Sequence, residues 1–179
     1  TGRWQSLRGE MCDALNRKKD DHTLSILERE YGHADALFLQ ETATSFMGKV
    51  RESSLGAKYL VVTPEGRDPS RDQNSAILLR RDRFVAGSVR EVTAEVASTL
   101  AAGGESPIPA GDLLVVAVKD ALERPFLLAS FHGDTNGLAT KPVFGAVAAL
   151  AARMPDHALL FGMDANTSET GSADKQGVA

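Results

Sequence analysis

Leu159-Leu160-Phe161-Gly162-Met163-Asp164-Ala165-Asn166 is the stretch that decides how this chain is read. Three apolar residues followed by Gly162 read as the end of a buried strand, with glycine allowing a tight backbone turn. An acid and an amide follow, two residues apart. In extended backbone, residues i and i+2 face the same side, so Asp164 and Asn166 would converge just past the strand. A carboxylate and an amide there suit a hard metal ion, an attacking water or a phosphate oxygen. Taken alone, the tripeptide is more often a strand ending in a turn, with Asp and Asn as turn or cap residues. Partners sent to the same place by the rest of the chain decide between the two.

Upstream of this stretch, 142–153 is rich in Ala and begins with Pro142, which predicts a helix apolar on most sides. Before it, 113–118 and 126–131 are apolar runs and read as a strand pair, joined by a polar connection ending in Pro125. The stretches 35–39, 59–63 and 75–80 read as further strands, and 84–93 leans toward β. Loops are expected at 64–74 and 101–112 from their Pro, Gly and polar content. Near the N-terminus, Trp4, Leu7, Met11 and Leu15 form a helical stripe over 4–16, and Leu24, Leu27 and Tyr31 form a second one. Residues 167–179 hold almost no core material and read as tail or loop. The order predicts a single domain over 1–179 of class α/β (α+β), with packed sheets and outer helices.

Bulk properties narrow the function. The chain has 179 residues, enough for a sizeable core, and its 42% apolar and 25% charged residues are ordinary for a globular protein. A net charge of −4 gives no overall field toward nucleic acid, so a polynucleotide would need a local basic patch or a metal. The single cysteine, Cys12, excludes an intrachain disulfide and a multi-cysteine zinc site, which fits a reducing, intracellular compartment. No apolar run approaches the roughly 20 residues that span a membrane, and no secretory signal is visible.

Three predicted strands end in polar clusters: Glu41 after 35–39, His132 and Asp134 after 126–131, Asp164 and Asn166 after 158–162. Each has an ordinary structural reading, as a surface acid, a satisfied histidine or a turn. Together they hold what metal-assisted hydrolysis needs: oxygen ligands for Mg²⁺ and an imidazole to move a proton.

Four segments carry a more specific resemblance. Asp35-Ala-Leu-Phe-Leu-Gln-Glu41 is similar to the "D-x-x-x-L-Q-E" strand of the endonuclease/exonuclease/phosphatase superfamily, which has the deoxyribonuclease I-like fold. Ser75-Ala-Ile-Leu-Leu79 resembles its next core strand, and Ala129-Ser-Phe-His132 the strand delivering its first catalytic histidine. Phe161-Gly-Met-Asp164-Ala-Asn166 resembles its "G-D-x-N" motif, with Met163 inserted. The resemblance spans 24–168 and implies a four-layer α/β/β/α sandwich with Mg²⁺-dependent (or Mn²⁺-dependent) cleavage of a phosphate ester. It implies Glu41 as metal ligand, His132 on the scissile phosphate or leaving group, Asp164 on the attacking water, and Asn166 positioning that water or the phosphate. Asn74, Arg71, Asp134 and Asn136 are the candidates for touching substrate.

The departures from that pattern are as informative. The family opens with a strand bearing an Asn near the metal and closes with an "S-D-H" strand; nothing before Trp4 matches the first, and no histidine follows His157. A sandwich incomplete at both ends is therefore expected: a piece of a longer protein, or a member without full activity. His132-Gly-Asp-Thr-Asn136 stands where abasic-site enzymes carry "Y-x-P-N", which argues against that branch. Arg67, Arg71, Arg80, Arg81 and Arg83 offer a polynucleotide track if they lie near the site, whereas 6% aromatic content supplies little base stacking. A nuclease acting on RNA or DNA is the preferred reading. A phosphatase or phospholipase acting on a phosphorylated small molecule or lipid, and a non-catalytic interaction module, are the alternatives.

Overall fold

The structure is a computed structural model describing residues 4–8, 10–11, 19–66 and 71–177. It divides into two compact units, Thr1–His33 and Ala34–Ala179. In the first, residues 4–8 and 10–11 are helical, and helix α1 spans Lys19–Glu30. Asp20 and Asp21 open α1 and Arg29 closes it, an arrangement that favours the helix dipole. The remainder of the expected 4–16 helix lies outside the described residues.

The second unit is built on two unbroken apolar runs. A strand covered on both faces has no polar side to show, so it loses the alternation of a half-exposed strand. Strand β3 (Asn74–Arg80) and strand β5 (Leu113–Lys119) are buried at every position but the last. β3 is the middle of a three-stranded antiparallel sheet, between β1 (Ala36–Thr42) and β2 (Tyr59–Val62). β5 and β6 (Pro125–His132) are the inner strands of a second sheet, edged by β4 (Arg90–Glu91) and β7 (Ala158–Asp164).

Alternation reappears as a division between two cores. Leu114, Val116 and Val118 of β5 join Leu128 of β6 and Ile77 and Leu79 of β3 between the sheets. Leu113, Val115 and Ala117 join Leu127, Ala129 and Phe131 beneath helices α4 (Thr93–Ala102) and α5 (Thr140–Arg153). Each Val, Leu, Ile or Phe among them, fully buried, contributes about 1.5–3 kcal/mol. Helices α2 (Thr44–Glu52) and α3 (Ser54–Lys58) pack on β2 and bury Phe46, Met47, Val50 and Leu55. The layering is α/β/β/α, as expected.

The details depart from the sequence reading in three places. Residues 84–93 hold the two-residue β4, an isolated bridge from Phe84 to Asp120 and a 3₁₀ turn at Ala86–Ser88, and α4 begins at Thr93. Helix α5 buries one face, Val143, Ala146, Val147 and Leu150, while Phe144 is exposed and stacks on Phe161. Gly162 lies inside β7, paired with Ser130, and makes no turn. Its lack of a side chain serves a close approach: a Cβ there would fall 2.5 Å from Cβ and Cγ of Phe38 on β1. Among the described residues no helix is long and apolar enough to cross a membrane.

The β5–β6 connection is closed by Asp120. Its Oδ1 accepts the backbone N–H groups of Leu122 and Arg124, both at 2.9 Å, and its Oδ2 accepts Arg124 Nε at 2.7 Å. Burial works against the charge, but the bonds from Arg124 and Leu122 outweigh it and hold the carboxyl below its usual 3.8. A carboxyl with a lowered folded pKa stabilises the fold above the unfolded pKa, and that stabilisation is lost as pH falls through the folded value. Asp120→Asn is therefore expected to lower Tm by a few degrees at neutral pH, with the gap to wild type closing below 3.8. Melts across that range check it; a gap independent of pH contradicts the assignment.

Candidate active site

Parallel strands need a long crossover, and β6–α5–β7 supplies one. Its consequence is that β6 and β7 end on the same side of the sheet. Their register pairs Phe126 with Ala158 and carries on to His132 beside Asp164. Met163, inserted relative to the resembled motif, packs with the core beneath α4 and α5. Alternation then returns Asp164 to the face that Gly162 turns toward β1.

The third strand end comes from the other sheet. β1 pairs regularly with β3 as far as Leu39 opposite Ala76, but the next pair is Thr42 with Asn74. One extra residue is thus accommodated on β1, and Glu41 takes a left-handed φ of 54°. Bulges re-aim side chains next to active sites, and strained non-glycine backbone concentrates there. The bulge is fastened to β6: Gln40 Nε2 donates to Ser130 Oγ (3.0 Å), and Ser130 Oγ to Leu39 O (3.2 Å).

These elements converge on one atom. His132 Nε2 lies 3.3 Å from Glu41 Oε1 and 3.3 Å from Asn166 Nδ2. The imidazole is largely buried, whereas the Glu41 side chain is more than half exposed. Nε2 donates to Glu41 or accepts from Asn166, according to which ring nitrogen carries the proton. A group so placed can give or take a proton at one point. Asn166 does not continue the extended chain as its spacing suggested. It adopts φ 48°, its N–H donates to Asp164 Oδ1 (3.1 Å), and its Nδ2 donates to Gly133 O (2.7 Å). Asp164 is exposed at the strand end beside this group.

The other candidates take different positions. Asn74 is 2% exposed, and its Nδ2 donates to Thr42 O and Arg71 O, tying the end of β1 to the loop before β3. Asp134 accepts the N–H groups of Asn136 (3.3 Å) and Ala139 (2.8 Å), so its carboxylate shapes its own loop. Asn136 O accepts Gln176 N–H, which brings the 168–177 segment onto that loop. Arg71 pairs with Asp112, and its Nε donates to Gln73 O. Among the described residues the arginines do not line up as a track at the site. Arg80, Arg81 and Arg83 lie at or beyond the far end of β3, a seven-residue strand of roughly 20 Å, whose other end, Asn74, is at the site. There Arg80 and Arg83 pair with Asp35, and Arg80 also with Asp82. Arg67 lies outside the described residues.

Sequence reasoning passed over Asp112, placed in a surface loop. Its carbonyl accepts His132 N–H (2.9 Å) and Ser75 Oγ (2.7 Å). Burial pushes its carboxyl above the usual range, while nearby Arg71 and His132 hold back part of the rise. Gln40 and Ser130 were also missed.

Mg²⁺ takes one or two carboxylates, several waters and substrate phosphate, not a closed protein cage. The exposed carboxylates of Glu41 and Asp164 fit that sparse demand. Among the described residues no three His, Cys, Asp or Glu side chains cluster as a full ligand set.

No protein-family model and no curated protein matches the sequence. Solved structures do. An endonuclease/exonuclease/phosphatase family protein from Bacteroides thetaiotaomicron superposes with a TM-score of 0.63 at 16% identity, over 90% of this chain and 60% of that one. ANGEL2, a 2',3'-cyclic phosphatase, gives 0.56 at 19%, over 81% of this chain and 42% of its own. The endonuclease domain of TRAS1, a telomere-specific non-LTR retrotransposon, gives 0.51 at 16%, over 90% and 61%. The chain thus spans between 42% and 61% of the length of these structures. Its two sheets and outer helices have the endonuclease/exonuclease/phosphatase, or deoxyribonuclease I-like, fold of these structures.

Proposed function

We propose that this chain carries the central part of a Mg²⁺-dependent phosphodiesterase site, with RNA or DNA as the preferred substrate. The observation that carries this reading is the meeting of Glu41, His132 and Asn166, from strand ends of two different sheets, at a single imidazole nitrogen. A buried structural histidine needs no exposed carboxylate delivered by a backbone bulge. Glu41 would hold the metal, whose chemistry is to draw charge from the phosphoryl oxygens as the transition state forms. His132 Nε2 donates to a phosphoryl or leaving-group oxygen. Asp164 orients and deprotonates the attacking water, and Asn166, fixed by Gly133 O, positions the water or the phosphate. The likeness to the TRAS1 endonuclease domain and to ANGEL2 supports cleavage of a phosphoester.

A second reading, a phosphatase acting on a small phosphorylated molecule, is favoured by one observation. Arg80, Arg81 and Arg83 lie at the wrong end of β3 to track a polynucleotide, and Arg71 is engaged with Asp112. The test is product release by the intact protein from single-stranded RNA, single-stranded DNA and a phosphoinositide in parallel. Mg²⁺-dependent release from a nucleic acid, abolished by EDTA and restored by added Mg²⁺, is the expected result. Release from the phosphoinositide alone selects the phosphatase reading. Absence of all three leaves a non-catalytic module with this fold and refutes the proposal.

A further inference from the structure

The segment Asp164-Ala165-Asn166 supplies two of the site's side chains, yet β7 and its ladder end at Asp164, and Ala165 and Asn166 lie past the sheet. Three hydrogen bonds replace the ladder. Gly133 N–H donates to Asp164 O (2.8 Å), Asn166 Nδ2 donates to Gly133 O (2.7 Å), and Thr140 Oγ1 donates to Ala165 O (2.7 Å). The last comes from the first turn of α5. Thr140 stands one residue past the helix N-cap, Ala139, which offers no capping side chain. At the N-cap itself a Thr would cap its own helix. This one spends its hydroxyl on a carbonyl 25 residues away, between the two site residues.

The packing around that bond leaves no slack. A Cβ on Gly133 would fall 2.8 Å from Ala165 O and 2.9 Å from Thr140 Oγ1. A Cβ on Gly137 would fall 2.8 Å from Asn166 O and 2.9 Å from Ala165 O. Two glycines thus let the 133–137 loop close onto 165–166, and Thr140 fixes the contact from the side. Resting on the reading of the site given above, we propose that Thr140 is a positioning residue for Asp164 and Asn166. Its hydroxyl holds the intervening peptide so that Asn166 keeps its left-handed backbone and directs its amide to His132.

The test compares Thr140→Val, which keeps the shape and removes the hydroxyl, with Thr140→Ser, which keeps the hydroxyl. Thr140→Ala repeats the loss without the second methyl. Amide hydrogen exchange in the intact protein reads the geometry without relying on activity. In Thr140→Val and Thr140→Ala, exchange at Gly133 and Asn166 is expected to rise about tenfold, as loss of one hydrogen bond allows. Thr140→Ser should stay near wild type, and Leu128 in mid-β6 should be unchanged in all three. In turnover, Val and Ala should lower kcat about tenfold with KM little changed, and Ser should restore it. Exchange unchanged in Val and Ala, or equal in Val and Ser, overturns the proposal. If the wild-type protein hydrolyses no phosphoester, the functional reading fails, and the exchange result still decides whether Thr140 holds this segment.

Discussion

Asp164→Asn is expected to lower kcat for phosphoester hydrolysis by about 10²–10⁴-fold, the usual worth of a positioned general base, and to leave the fold intact. The substitution isolates charge from shape. Asp164 Oδ1 accepts the Asn166 N–H, and an amide oxygen in the same place accepts it too, so the turn that shapes the site survives. Asp164 is exposed, so no buried partner is left unpaired by the change. What disappears is the capacity to take a proton from water beside His132. Thermal melts and circular dichroism should match wild type while the Mg²⁺-dependent rate collapses. Asp164→Ala should lose at least as much activity and some order in Asn166 as well. Full activity in a folded Asp164→Ala protein refutes the site assignment.

The parts of this arrangement that could be read from sequence are those that depend on local pattern. Unbroken runs such as Leu113 to Val118 announce fully covered strands, and the polar residues that end them stand where loops leave a layered fold. Glu41, His132, Asp164 and Asn166 were legible on that basis. How they meet was not. The bulge that turns Glu41 toward His132 comes from a mismatch between β1 and β3, which neither strand carries alone. The parallel pairing of β6 and β7 joins strands separated in sequence by the crossover helix α5. Asp112 lies in a loop, as its neighbours in sequence indicate, but its part-burial is imposed by Arg71, Ser75 and His132, all distant in the chain. Helices α2 and α3 are nine and five residues long, too short to stand without the sheet they cover. The arginines mislead for a geometric reason: Arg71 and Arg80 are near in sequence, but a straight strand puts them at opposite ends of the sandwich.

Gly162→Ala is expected to destabilise the fold by about 1–3 kcal/mol, the range for forcing extra carbon into a packed core, and to slow hydrolysis in the molecules that remain folded. The added methyl would fall 2.5 Å from Cβ and Cγ of Phe38, where carbons pack best at about 3.5–4.0 Å. Relief requires β7 to move away from β1, or Phe38 to leave its place between the sheets. The first route acts on the site as well as the core. Gly162 is two residues before Asp164, and Phe38 is three before Glu41, so a shift of β7 against β1 is passed on to both strand ends that carry the site. The effects should therefore couple. Phe38→Leu alone costs packing, but in the Gly162→Ala background it removes the obstruction. The double variant should be more stable than the sum of the singles by about 0.5–3 kcal/mol, with kcat recovering in step. Denaturant titrations of the four proteins measure the stability term, and initial rates measure the other. Strict additivity in stability would mean that Phe38 does not fix the β1–β7 distance. Coupling in stability without recovery of kcat would mean that the distance is fixed there but that catalysis does not depend on it.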